Sequence, residues 1–170
     1  MIKEYCLVGY SAFDALRDEI QNLVFAVDQD EDWRFYLALS EAVCNAAMYS
    51  IAGPEKARIE LRIRTEPTSI SAMVKAVTKK FDARSYKEHL MSLAMDPAIS
   101  LMDWGEYTHD HISGRGFWYM MNGADAVFVE EEGQFVVLHL SLPLSVEHKM
   151  QRLVCQLVPR LFVTESVISV

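Results

Sequence analysis

Between Lys56 and Thr65 the chain reads KARIELRIRT, with apolar Ile59, Leu61 and Ile63 alternating with charged Arg58, Glu60, Arg62 and Arg64. A period of two predicts a strand with one buried and one wet face. Past a turn at EPTS, ISAMVKAV (70–77) is its expected hairpin partner. Upstream, EYCLV (4–8) reads as a short strand. It is followed by SAFDALRDEIQNLVFAV, where Ser11 caps a helix whose apolar positions, Phe13, Leu16, Ile20, Leu23, Val24 and Val27, recur at helical spacing. The acidic run DQDED (28–32) predicts a loop capping a second helix from Trp33 to Ser50, which stops near Gly53-Pro54.

Downstream the pattern weakens. Residues 83–112 predict a helix over Ser85–Met95 and then a long, polar, mobile connection. GFWYMMNG predicts a helix from Gly116 to Asn122 ending at Gly123, followed by strands at Ala126–Glu130 and FVVLHLSLPL. The last 27 residues read as a helix broken near Pro159 with an apolar tail. Short turns between the clear strands predict an α+β chain: a two-layer α/β sandwich, its mixed sheet mostly antiparallel with helices on one face. One domain over 1–143 and a helical extension over 144–170 are expected.

Composition narrows the function classes. With 170 residues, 51% hydrophobic and 24% charged, the chain has the make-up of a soluble globular domain. The net charge of −8, from 24 acidic against 16 basic residues, argues against a general hold on nucleic acid or an anionic membrane. Cys6, Cys44 and Cys155 are odd in number and far apart, which fits a reducing compartment. MIKEYC places a glutamate where a signal peptide would begin its apolar region, and the apolar runs are too short to span a bilayer, so a cytoplasmic location is expected.

Two stretches could carry chemistry. In ALSEAVCNAAMYS (38–50), Glu41 and Asn45 lie four apart and project from one helix face. A carboxylate there can act as a general base and an amide oxygen can bind Mg²⁺, or the pair can simply edge a core helix. In SGRGFWYMM (113–121), Gly114 and Gly116 lead into a helix. Backbone N–H groups at such a start can cradle phosphate with Arg115 adding charge, or the glycines can serve a plain turn. HDH (109–111), near Asp103, offers imidazoles to a metal but fits an exposed polar loop better.

The order strand, helix, SEAVCNA, hairpin, long connection, GRGFWYM and two strands resembles the GHKL ATP-binding superfamily of gyrase and histidine kinases. The likeness covers about residues 4–142, and SEAVCNA is most similar to the first box of the anti-sigma factor serine kinases. The resemblance implies ATP and Mg²⁺ as cofactors, Glu41 as catalytic base and Asn45 as magnesium ligand. It also implies Gly114, Arg115 and Gly116 at the phosphates, residues 83–112 as an ATP lid, and Ser40 as a support for the helix. Tyr49 stands where relatives often carry histidine.

One box departs from the pattern. In AVTKKFD, Ala76 replaces the aspartate that accepts the adenine amine, and Thr78 and Lys80 replace glycines. Losing a hydrogen bond to a charged group costs about 1.5–3 kcal/mol, roughly ten- to a hundredfold in affinity. Asp82 replaces that carboxylate only if the register shifts, and Lys79 and Lys80 either meet phosphates or form a solvated basic turn. The implied function is an anti-sigma-like regulator that phosphorylates Ser or Thr of a partner antagonist and alternately holds a sigma factor. The alternative is a protein-binding module with weak or no nucleotide affinity, with the tail after Leu144 as a partner or homodimer surface.

Overall fold

In the computed structural model, which describes residues 1–26, 33–110 and 114–165, the chain builds one six-stranded sheet. Strand β1 (Ile2–Val8) leads through Gly9 into α1 (Tyr10–Ala15) and α2 (Arg17–Phe25). The single helix expected over Ser11–Val27 is thus two, divided at Leu16, whose φ of −98° and ψ of 9° leave the helical basin. Both halves keep their apolar face: Phe13, Ile20 and Val24 are fully buried. Val27 and the acidic run 28–32 lie outside the described residues.

Helix α3 (Trp33–Met48) ends two residues before the expected Ser50, which instead pairs with Thr78 in an isolated bridge. The hairpin β2 (Arg58–Glu66) and β3 (Ser69–Ala76) follows the expected alternation. Ile59, Leu61 and Ile63 are buried, with Ala72 and Val74 beside them, and the β2 charges face outward. Next come α4 (Ala83–Met95), α5 (Trp104–Tyr107), α6 (Gly116–Gly123), β4 (Ala126–Glu130) and β5 (Phe135–Ser141). The fold class matches the expectation: an α+β chain with a mostly antiparallel sheet.

The C-terminal segment departs most from expectation. The sequence pattern predicts a broken helix there. The chain instead forms α7 (Val146–Met150), α8 (Val154–Leu157), a 3-10 turn at Val158–Arg160 carrying Pro159, and a sixth strand, β6 (Leu161–Thr164). β6 pairs parallel with β4, so the strand order is β1-β2-β3-β5-β4-β6. Val154, Leu157, Val158 and Leu161 join the hydrophobic core that the sheet shares with α3 and α6.

This segment also fastens the connection between α4 and α6. Trp104 N–H donates to Arg152 O (2.9 Å), Val154 N–H to Met102 O (3.0 Å) and Cys155 N–H to Ser100 O (3.0 Å). Arg152 pairs with Asp103 at 2.7 Å, and Arg84 of α4 pairs with Glu131 and Glu165. Arg160 is buried, donating to Met121 O (2.9 Å), Ala124 O (3.2 Å) and Gln151 Oε1 (2.6 Å). The first two are carbonyls at the end of α6, where a cation is electrostatically favoured.

Candidate functional site

Helices α3 and α6 pack along small residues. A Cβ on Gly123 would lie 2.7 Å from the Arg34 carbonyl carbon and 2.8 Å from Ala38 Cβ, while one on Gly116 would lie 2.6 Å from Asn45 Nδ2. The end of α6 therefore sits over the start of α3, and its first turn rests on the Asn45 carboxamide. Gly116 is thus required by helix contact. Gly114, at φ +88° with nothing near its missing side chain, is a turn glycine.

Beside this contact a cavity of about 380 Å³ opens between α3, the sheet and the start of α6. Asn45, Gly114 and Gly116 line it, as do Tyr49, Thr78, Lys79 and Lys80. The structure thus brings together three of the five expected site residues. Glu41 is half-buried and lies outside the lining, and burial pushes its carboxyl above the ordinary value. The same burial, with Glu41 second, raises the Cys44 thiol.

Arg115 also stands outside the lining. Its guanidinium donates to Thr108 O (3.0 Å) and His109 O (2.7 Å), tying the start of α6 to the end of α5. Ser40 Oγ lies 2.8 Å from Tyr10 Oη, joining α3 to α1, in keeping with a supporting role. Ala76 is buried and absent from the lining, its N–H donating to Gln134 O at 2.9 Å. Asp82 caps α4, accepting from Ser85 N–H (2.9 Å) and Ser85 Oγ (2.8 Å). Those bonds, the backbone one first, hold its carboxyl below the usual range.

Among the described residues no carboxylate lines the cavity, and no group of three His, Cys, Asp or Glu could hold a metal ion. Asp103 is engaged by Arg152 and Gly105 N–H, His109 contacts Asp110, and His111 and Ser113 lie outside the described residues. The three cysteines are free thiols, and no helix among the described residues is long and apolar enough to cross a membrane.

The aromatic wall of the cavity has no signature in the sequence. Phe81 stacks on Phe117 with centroids 5.6 Å apart and planes 14° from parallel, and Tyr86 lies 5.0 Å from Phe117. Burial, with Tyr107 second, pushes the Tyr86 hydroxyl up to about 12, so it stays a neutral donor. Phe81 and Tyr86 flank a helix start while Phe117 comes from α6, and no sequence spacing signals that they meet. At the rim Lys79 N–H donates to Tyr49 O (2.8 Å) and Ile51 N–H to Val77 O (3.2 Å), a short ladder around the Ser50–Thr78 bridge. Tyr49, Ile51 and Val77 are each more than half exposed.

No protein-family model matches the chain, and no curated protein matches it.

Proposed function

We propose that the chain is a regulatory module on a GHKL-like scaffold that acts by holding a partner protein, and that its cavity does not serve phosphoryl transfer from ATP·Mg²⁺. The observation that carries this reading is the lining of the cavity, which holds no carboxylate among the described residues. An adenine amine would meet no acceptor at Ala76, because the alternative carboxylate, Asp82, caps α4. A γ-phosphate would lack Arg115, whose guanidinium holds Thr108 O and His109 O. Proximity and charge neutralisation supply nearly all catalysis in this chemistry, so displaced groups leave little of it.

The exposed apolar residues Tyr49, Ile51 and Val77, carried on the two segments that the Ser50–Thr78 bridge joins, support the protein-binding half of the reading, since exposed apolar surface marks contact sites. A sigma factor or an anti-sigma antagonist is the partner class that the resemblance supplies.

A second reading, a serine/threonine kinase using ATP·Mg²⁺, draws on Asn45, which faces the cavity beside Gly114 and Gly116. There Asn45 would hold the magnesium, which neutralises phosphate charge when bound. Isothermal titration separates the two. The proposed function predicts no heat at millimolar ATP·Mg²⁺. Micromolar binding that Asn45→Ala abolishes would establish the kinase reading in its place.

A further inference from the structure

A cavity near the lower end of the usual 300–1,000 Å³ range suits a small ligand. Its walls are mainly apolar: Phe81, Phe117 and Met120 meet Val74 and Val136 of the sheet. Phe81 and Phe117, stacked on one another, both line the cavity and give it aromatic surface on which an apolar ring can pack.

Charge narrows the ligand further. With no lining carboxylate among the described residues, no negative charge there would balance a bound cation. Three cations stand near enough to matter, and two are engaged. Arg115 holds backbone carbonyls and Lys80 pairs with Glu132 at 3.0 Å. Lys79 has no ion-pair partner among the described residues, and the bond from its N–H to Tyr49 O anchors its stem at the rim. Asn45 also lines the cavity with no hydrogen bond to its carboxamide among the described residues. One available positive charge suits one negative charge, not a triphosphate.

We propose that the cavity binds a small amphipathic monoanion, a flat apolar body seated on Phe81, Phe117 and Met120 with its carboxylate or sulfonate at Lys79. The inference rests on the reading that the cavity does not take ATP·Mg²⁺, and it adds a ligand through which the partner-holding rim can be regulated, because Tyr49 and Lys79 belong to both.

The test uses the full chain and two fluorescent probes: anilinonaphthalene sulfonate, and phenylnaphthylamine, which has the same rings without the charge. Expected are saturable one-to-one binding of the sulfonate and a loss of roughly fivefold in Lys79→Gln, the worth of one partly exposed ion pair. Phenylnaphthylamine binding should be unchanged in that variant. Ala46→Phe, which places a ring in the cavity from α3, should abolish both, with a circular-dichroism melt to verify its fold. Equal binding of the sulfonate to native and Lys79→Gln protein would overturn the anion assignment. Absence of saturable binding by either probe, with ATP·Mg²⁺ also silent, would overturn the ligand and leave the proposed function standing. Displacement of the sulfonate by micromolar ATP·Mg²⁺ would overturn both.

Discussion

Replacing Gly123 with alanine separates two opposed effects. In a helix the intrinsic preference for alanine over glycine is worth about 0.5–1 kcal/mol, so propensity alone predicts stabilisation. Packing predicts the reverse. The new Cβ would stand 2.7 Å from the Arg34 carbonyl carbon and 2.8 Å from Ala38 Cβ, and closer still to the Arg34 carbonyl oxygen. Carbon atoms in good contact sit about 3.5–4.0 Å apart, so α3 and α6 must part by roughly 1 Å. The nearest obstacles are backbone and a helix-borne methyl, neither of which can rotate away. Overpacking of this kind costs about 1–3 kcal/mol, and more where nothing yields. Net of propensity we expect a loss of about 2 kcal/mol, or a fall in Tm of roughly 4–8 °C for a chain of this size. Urea unfolding followed by circular dichroism measures it, with an unchanged slope confirming that only stability moved. A Gly123→Ala protein as stable as the native chain, or more so, would refute the close α3–α6 contact.

Gly116→Ala should cost less, about 1 kcal/mol or below, because its Cβ meets the movable end of Asn45, and the same urea titration ranks the two. Arg160→Leu should destabilise by about 3 kcal/mol in thermal melts, since it leaves Met121 O, Ala124 O and Gln151 Oε1 without their buried donor. Burial raises the Asp125 carboxyl, but hydrogen bonds from His148 (2.8 Å) and Ser141 N–H (2.6 Å) outweigh it and hold the pKa at about 2. A depressed folded-state value contributes stability that is complete above the unfolded pKa of about 3.9 and lost as pH falls toward 2. With a third of the side chain exposed, the contribution is about 1 kcal/mol. Stability of native protein relative to Asp125→Asn should therefore be constant from pH 7 to 5 and shrink below pH 4, and a gap that persists at pH 2 would exclude this linkage. In hydrogen exchange, the Trp104, Val154 and Cys155 amides should open together, and Arg152→Ala should speed all three; independent exchange would contradict a fastened connection.

Much of the fold is legible in the residues. The alternation Ile59, Leu61, Ile63 needs only a two-sided environment to become a strand, and GFWYMMNG marks the extent of α6, although Gly123 is its last residue, without positive φ, and serves the contact with Arg34 and Ala38 and not a left-handed stop. The break at Leu16 is not legible, because the apolar spacing runs through it and neither proline nor glycine marks it. Nor is β6: four residues, LFVT, acquire strand character only from β4 alongside. The candidate site divides in the same way. Asn45 and the two glycines are where their spacing put them, but Gly116 serves a helix contact that becomes visible only when α6 lies on α3. Arg115 beside two glycines reads as a phosphate ligand until Thr108 O and His109 O are brought to its guanidinium. Lys79 and Lys80 look equivalent in sequence, and only Glu132 across the turn distinguishes them.

The central claim is that this cavity does not hold ATP·Mg²⁺, and the amide NMR spectrum of nitrogen-labelled protein tests it residue by residue. At millimolar ATP·Mg²⁺ the resonances of Asn45, Lys79, Gly114 and Gly116 should stay in place. Saturable shifts at those four positions, reversed by removing magnesium, would contradict the account.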